Sequence, residues 1–439
     1  VLLAGLSAAN AYWLMGMNFI VTERLDPIVS PGGVSGHAHS VVGGSNFGPN
    51  VNTALLRQST CTSTPIPQDK SSYWFPPMLT FCASNFRICI SSMRNLLDNK
   101  KNSNHDLDGL MEASPALIVL DYLFNDQPGT TTAFPDDFRM ISGDPTLRTY
   151  DGTSSAQRAV TFLCLDFNGV SQTYNSLPPT ACPSGIRAQI NFPSCWDGKN
   201  VDSSDHKSHV AFLSGGPDSG TCTDPNYPIT LPRLFMEVYW NSNTFDGFRS
   251  QAMNSNQPFV YSYGDPTGYG YHADFFNGWA SGVLQKAVDQ CHCNIYGDPT
   301  CCAQAGIFDL TQGQSCTISA AVNEPVLGTL PKLPGNNPVQ PQGTRATMSP
   351  ATSTPAIVSP VYVYTNNGNT PVATVAGPSS NGATVSPVLS SSSAVPSSSV
   401  VSSSVSSSVA ASVTPSVVTS SAAPSSMSSS VVSSSVAPT

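Results

Sequence analysis

The amino-acid sequence predicts a mainly β fold: a single β-sandwich-like domain with long disulfide-stapled loops and one late helix, followed by a disordered tail. Short strand-like runs separated by clusters of Gly, Pro, Asn and Asp are typical of β-sandwiches and barrels. The chain also contains twelve cysteines, and it becomes Ser-rich from Ser379 onward. The first observation predicts the strands, the second the stapled loops, and the third the tail.

Four runs have the clearest strand pattern, namely residues 160–167, 188–192, 209–213 and 234–240. The late helix is expected between Gly278 and Cys291. Apolar side chains recur there close to helical spacing, at Trp279, Val283, Leu284, Ala287 and Val288.

The charge balance excludes two classes of protein. The 439 residues include 18 Lys and Arg against 27 Asp and Glu, a formal net charge of −9. No Lys/Arg-rich run is present to neutralise phosphates, so no nucleic acid partner is expected. No internal run of about 18 apolar residues is present either, so no transmembrane segment is expected.

The first residues have the pattern of a secretory signal peptide. A short apolar run ends in the small-x-small triplet Ala9-Asn10-Ala11, and cleavage after it would leave Tyr12 first. Because initiator Met and basic residues are missing, residues 1–11 are interpreted as a truncated signal peptide; the alternative is a buried N-terminal strand. We therefore expect a secreted protein, extracellular or in the cell wall.

The cysteines agree with export, because an even number in an oxidising compartment favours disulfides. Their spacing does not give the connectivity. One cluster resembles a zinc site only loosely, namely Cys291-His292-Cys293 with Cys301-Cys302. The gaps between the cysteines of each pair are one and zero residues, which is shorter than a zinc ribbon requires. A disulfide-stapled loop is the prediction there.

The composition divides the chain into a domain and a tail. Residues 12–330 are expected to form the folded domain, and residues 331–378 a Pro/Gly/Asn-rich linker. Residues 379–439 are mostly Ser, Val, Ala, Thr and Pro, and they contain too few large apolar side chains to offset chain entropy. In a secreted protein such a tract indicates an O-glycosylated stalk.

Residues 82–121 differ from the rest of the domain. The stretch 94–110 is highly charged and has little strand pattern. It is either a solvated insertion or helix, or foreign sequence from an incorrectly predicted gene. We assign no function to the residues in or beside it, Cys82, Cys89 and His105.

Histidines in three compact motifs are the candidates for chemistry. His37 and His39 would share one face of a strand, because side chains alternate along it. His206 and His209 are three positions apart, which suits a turn or a tight loop. Asp274 follows His272 by two positions and could orient its imidazole, as carboxylates do in catalytic and metal sites. The other reading of each histidine is a hydrogen-bonded structural residue.

Polar residues near these motifs are candidates for substrate binding. Arg148 and Lys207 could bind substrate anions, although Arg148 with Asp144 could equally form a structural ion pair. Glu237, with Asp205 or Asp274, could supply the two carboxylates that a glycoside hydrolase needs. Glu237 would be merely solvated if it lies at a strand edge. Tyr271 could stack on a sugar ring or lie in the core.

The motifs together resemble a fungal secreted family catalogued as domain of unknown function nineteen ninety-six. The resemblance covers about residues 12–302, except roughly residues 82–121. It implies an exported fungal protein, in some members with wall-binding modules or Ser-rich tails, but it supplies no reaction. The matching blocks are DPIVSPGGVSGHAHSVVGGSNF, FRMISGDPTLRTY, CPSGIRAQINFPSCWDGKNVDSSDHKSHVAF, LPRLFMEVYW and GDPTGYGYHADFFNGW.

Three functions are compatible with the sequence. The first is a protein that acts on or binds cell-wall or plant polysaccharide, as a lyase or glycoside hydrolase using acid–base chemistry. Its catalytic residues would be His37, His39, His206, His209, His272 and Asp274. The second is a divalent metal site of zinc, copper or manganese made by His37, His39, His206 and His209. The third is a non-enzymatic cell-wall structural or adhesion protein.

Overall fold

The structure is a computed structural model, and all of its described residues lie in the first of two units, residues 1–378 and 379–439. It describes residues 10–80, 115–125, 129–292, 297–311, 316–328, 330, 332–347, 354–358, 361–363 and 372–374. Some predictions therefore concern residues outside these ranges. They are the leader up to residue 9, the segment 82–114 with its cysteines and His105, Cys293, part of the linker, and the stalk.

Two antiparallel sheets dominate the domain. The larger has six strands, in the order β1 (Asn10–Met17), β6 (Pro115–Asn125), β14 (Arg233–Trp240), β10 (Ile186–Asn191), β8 (Val160–Cys164) and β9 (Gln172–Tyr174). The second has five strands, in the order β2 (Val21–Glu23), β3 (His39–Gly43), β4 (Ser72–Phe75), β16 (His272–Phe276) and β7 (Arg139–Gly143).

Smaller elements complete the described part of the chain. One small sheet joins β12 (Val210–Ala211), β11 (Cys195–Trp196) and β13 (Ile229–Thr230). Two pairs join β15 (Phe259–Tyr261) with β5 (Met78–Thr80), and β17 (Val361–Val363) with β18 (Val372–Thr374). The α-helices are α1 (Thr53–Leu56), α2 (Ser155–Arg158), α3 (Val283–Gln290) and α4 (Thr300–Gln304), and 3₁₀ helices span Ser242–Gln251 and Pro334–Asn336.

One hydrophobic core lies between the two large sheets. Met15 of β1 and Leu120 of β6 come from the six-stranded sheet, and Tyr73 of β4 and Phe275 of β16 come from the five-stranded sheet. Side chains alternate along each strand, so the neighbours of these residues face outward. The prediction of a mainly β, sandwich-like domain is confirmed.

A second cluster covers the outer face of the five-stranded sheet. Val41 and Trp74 from the sheet pack there with Leu25 and Ile28, which belong to the loop after β2. The five-stranded sheet is thus buried on both faces. The side chains that point away from the main core are enclosed under this loop, residues 24–37.

The predicted elements occur close to their expected positions. β8, β10, β12 and β14 fall in or beside the four predicted strand runs, although β12 is shorter than its run. The late helix is α3, which begins at Val283 and buries Leu284, Ala287 and Val288. The end of the unusual segment, from Pro115, forms β6.

Disulfides staple the loops as expected. The bonds described are Cys61–Cys316, Cys164–Cys182, Cys195–Cys222 and Cys291–Cys302. Cys301 is disulfide-bonded as well. The cluster that could have imitated a zinc site is therefore tied by disulfides. In the described ranges, no helix has the length and apolar character needed to cross a bilayer.

Candidate functional site

Three of the predicted histidines meet on the outer face of the five-stranded sheet. His39 begins β3 and His272 begins β16, and both strands pair with β4 between them. Ala273 and Phe275 enter the main core, so His272 points to the other side. His37 lies two residues before β3, in the covering loop. The three residues are called the histidine trio below.

The imidazoles of the trio are in contact. The ring centres of His37 and His39 are 4.3 Å apart, and those of His37 and His272 are 5.0 Å apart. The Nε2 atoms of His37 and His272 are separated by 3.0 Å. One nitrogen from each ring belongs to a group whose members all lie within 4.8 Å of one another. The three side chains are at least nine-tenths buried.

Backbone carbonyls set the tautomers of two histidines of the trio. Nδ1 of His39 donates to the Leu25 carbonyl at 2.9 Å, and Nδ1 of His272 donates to the Gly270 carbonyl at 3.0 Å. A carbonyl only accepts, so in the neutral rings each Nε2 keeps its lone pair. Among the described residues, Nε2 of His39 and Nδ1 of His37 have no hydrogen-bond partner.

Burial keeps the trio neutral. It lowers the pKa of His39 and of His272 to about 3. Burial lowers the pKa of His37 well below its usual value as well, and the adjacent His39 and His272 lower it further. Neutral imidazole is the form that binds metal ions, whereas a histidine that donates a proton must first be charged.

Two buried carboxyl groups accompany the trio. Burial raises the pKa of Asp26 and that of Asp274, and Oδ2 of Asp274 has no partner among the described residues. Asp26 lies within electrostatic reach of His272. Asp274 shares the sheet face of His272, but the Nδ1 partner of His272 is the Gly270 carbonyl. The expectation that Asp274 orients this imidazole is therefore wrong.

The covering loop is anchored from the C-terminal side of the domain. The guanidinium of Arg24 donates to Glu324 and to the carbonyl of Ser35, each at 2.8 Å. The Asn337 amide donates to the carbonyl of Gly36, also at 2.8 Å. Residues beyond the late helix thus hold the backbone immediately before His37.

The other two histidines are occupied elsewhere. His206 has a left-handed backbone, and its Nδ1 lies 2.8 Å from a carboxylate oxygen of Asp202. His209 uses both nitrogens, at 2.9 Å from Ser203 Oγ and 2.9 Å from the Arg139 carbonyl. The structure groups His272, and neither His206 nor His209, with the pair His37 and His39.

Two predicted substrate-binding residues are fully buried. Arg148 has no exposed side chain; it donates to backbone carbonyls and lies 3.5 Å from Asp265. Tyr271 packs in the main core and is also unexposed. Neither can contact a ligand from solvent without rearrangement. The structural ion pair considered for Arg148 exists, but its partner is Asp265, while Asp144 pairs with Arg345.

The predicted carboxylate pair of a glycoside hydrolase does not form. Glu237 lies on β14, where it bonds Arg187 and Tyr239 on the outer face of the six-stranded sheet. Asp274 faces the outside of the other sheet. Asp205 caps its own loop, accepting from the backbone and hydroxyl of Ser208 at 2.9 and 2.7 Å. The three carboxyl groups therefore do not face one another across a cleft.

Lys207 is the predicted binding residue that lies near the trio. Its ammonium donates to the Gly143 carbonyl, and Gly143 is paired with His272 across β7 and β16. The positive charge of Lys207 interacts electrostatically with both His272 and Asp274. Its position suits a role beside the site.

Sequence reasoning missed the carbonyls of Leu25 and Gly270 and the carboxyl group of Asp26. Backbone acceptors leave no trace in residue identity. Asp26 is the first residue of the sequence block that contains His37 and His39. An Asp before Pro in a block with two histidines could have indicated a further site residue.

A comparison with protein-family models matched residues 26–279, more than half of the chain. The family is described as a domain of unknown function, DUF1996. The match includes all three histidines of the trio. Neither the curated proteins nor the solved structures gave a match.

Proposed function

The chain belongs to the DUF1996 family, and from this premise we propose that its domain binds a divalent transition metal through His37, His39 and His272. The observation that supports the proposal is the convergence of three neutral imidazoles, of which His37 and His39 each have one ring nitrogen without a partner among the described residues. Buried polar atoms are nearly always satisfied, so two unpartnered ring nitrogens in one buried cluster call for an explanation. A bound cation would supply the missing partner.

The donor set suits particular ions. Imidazole is a good ligand for zinc, copper, iron and nickel, whereas manganese prefers oxygen ligands. Two nitrogens bound to one tetrahedral zinc, each at about 2.0–2.1 Å, would lie about 3.3 Å apart. The 3.0 Å between His37 and His272 is near this value. The proposal is therefore a zinc or copper site rather than a manganese site.

The hydrogen bonds around the trio support the same proposal. A metal-binding histidine usually donates its other ring N–H to a carbonyl or carboxylate, which sets the tautomer and the ring orientation. His39 and His272 have this arrangement with Leu25 and Gly270. Three protein ligands leave a further position on the ion, where it would polarise a water or a substrate oxygen as a Lewis acid.

Metal-free acid–base catalysis by the trio has less support. A general acid or base works best when its pKa lies near the operating pH. With pKa values of about 3, His39 and His272 would be uncharged and weakly basic at neutral pH. We therefore favour the metal site over the lyase or hydrolase mechanism that uses these histidines directly.

We also propose that the protein is exported and that its partner is a cell-wall or plant polysaccharide. Several disulfides in one domain are typical of secreted proteins. The Ser-rich composition after Ser379 is typical of O-glycosylated stalks of such proteins. An adhesion role would share this setting but would not require the trio.

Cobalt titration tests the proposed metal site. Chelator-treated full-length protein, titrated with Co²⁺, should show d–d absorption that saturates at about one equivalent. His39→Ala should abolish the saturable signal. His206→Asn is the matched control, because it removes an imidazole outside the trio and Asn tolerates the left-handed backbone. Equal signals from both variants would contradict the proposal.

A further inference from the structure

A cavity of about 370 Å³ lies along the outer edge of β7, next to the trio. Its size is at the small end of the range for small-molecule sites, about 300–1,000 Å³. None of its lining residues belongs to the trio, but Gly143 and Lys207 line it. A ligand there would be separated from His272 by one strand.

The lining has an excess of positive charge. Its charged residues are Lys207, Arg345 and Asp144. Burial alone would raise the pKa of Asp144, but hydrogen bonds from Thr146, the charge of Lys207 and a hydrogen bond from Arg345 hold it below its usual value. Two cations against one carboxylate leave one positive charge for a ligand to neutralise. Among the described residues, the hydrogen-bond acceptor of the Lys207 ammonium is a neutral carbonyl, so this ammonium suits a ligand carboxylate.

The cavity also offers an aromatic ring and neutral polar groups. Tyr269 lines it and is stacked on Tyr150, with ring centres 6.0 Å apart and planes 24° apart. Ser154 and Gln157 add polar groups to the lining. An aromatic ring beside hydroxyl and amide groups matches a sugar, which has an apolar ring face and hydroxyl edges.

Two backbone segments connect the cavity to the trio. Tyr269 is followed by Gly270, whose carbonyl accepts from Nδ1 of His272. Gly143, the acceptor of Lys207, pairs with His272 across the sheet. A ligand that contacts Tyr269 and Lys207 is thus held by the same backbone that orients His272.

We infer that this cavity binds an acidic sugar residue, with the carboxylate on Lys207 and the ring against Tyr269. The inference deepens the proposed function by naming the class of polysaccharide, and it rests on the proposed function only for that partner. Binding of the sugar requires no metal ion. The polysaccharide class that follows is one with uronic acid units.

Ligand-observed NMR with glucuronic acid and glucose tests the inference on the full-length protein. The two sugars share a ring and differ at one carboxylate. A charge-assisted hydrogen bond should make the dissociation constant for glucuronic acid at least about tenfold lower. Lys207→Met should remove this difference. Lys199 is exposed and does not line the cavity, so Lys199→Met is the control and should keep this difference.

Further variants keep the test decisive if Lys207→Met fails to fold. Arg345→Gln, at an exposed position, should weaken glucuronic acid binding several-fold. Tyr269→Ala should weaken both sugars, and Tyr269→Trp should retain them. Equal affinity for the two sugars would overturn the inference, as would equal affinity for benzoate and glucuronic acid.

The same measurement separates this inference from the proposed metal site. His39→Ala should bind glucuronic acid like the wild type, because the cavity contains no trio residue. Sugar binding without Co²⁺ binding would refute only the metal site. Co²⁺ binding without discrimination between the sugars would refute only the acidic-sugar pocket.

Discussion

The Nε2 atoms of His37 and His272 lie 3.0 Å apart, although 235 positions separate the two residues in the chain. The antiparallel pairing of β3 and β16 with the two edges of β4 produces this contact. Such a contact cannot result from local sequence. It is the reason for treating the trio as one site.

Metal binding should persist at mildly acidic pH. Protons compete with a metal only below the pKa of the free ligand, and burial places the pKa of His39 and His272 at about 3. We expect the Co²⁺ dissociation constant to change by less than about threefold between pH 7 and pH 5. Histidines with an ordinary pKa of about 6.5 would lose affinity over this interval. Calorimetric titrations at the two pH values distinguish these outcomes.

Glu23 should make the fold more stable at pH 5 than at pH 7. Its side chain is buried and accepts from the backbone of Ala321 and Val322, and burial raises its pKa to about 7. An unfolded Glu has a pKa of about 4.3. Between these values the folded chain keeps a proton that the unfolded chain releases, so stability falls as pH rises.

Glu23→Gln should reduce the difference in melting temperature between pH 5 and pH 7. Asp136→Asn, which removes one exposed carboxylate, should reproduce the wild-type difference. If Glu23→Gln changes nothing in this comparison, the burial account of Glu23 is wrong.

Gly143→Ala should destabilise the fold and weaken Co²⁺ binding. Gly143 has φ +86°, and an added Cβ would lie 2.2 Å from the Tyr271 carbonyl oxygen. Strain and overpacking together should cost about 2–5 kcal/mol. Gly306→Ala is the matched control, with φ +66° and no atom within 4 Å, and should cost about 1–2 kcal/mol. Denaturant unfolding of both variants measures the difference, and equal costs would contradict the close approach.

Arg148→Met should lower stability without a selective effect on the acidic sugar. It removes the buried partner of Asp265, and breaking a buried pair costs about 3–5 kcal/mol. Denaturant unfolding at pH 7 measures this cost. Unchanged stability with loss of glucuronic acid binding would instead restore the original assignment of Arg148 to substrate.

The fold was predictable where local pattern determines it. The runs around β8, β10 and β14 showed strand patterns bounded by turn residues, and α3 showed helical spacing. The order of strands was not predictable, because β4 and β16 pair across about two hundred residues. Loop closure over such distances depends on the packing of both sheets.

The site was predictable only in part. Spacing placed His37 and His39 together, and His272 joined them. The pairing of Glu237 with Asp205 or Asp274 was wrong because the alternation of side chains along a strand shows only that a residue points away from the core. It does not show which sheet the strand joins. The assignment of Arg148 to substrate binding was wrong because its partner Asp265 is remote in sequence. A sequence motif does not show whether a guanidinium is buried or exposed.

The most direct test of the metal site is a crystal structure of protein grown with zinc, with anomalous difference density measured at the zinc edge. The account predicts one strong peak within about 2.0–2.1 Å of a nitrogen of each of His37, His39 and His272. A trio with no peak, or a zinc ion bound only elsewhere on the molecule, would contradict it.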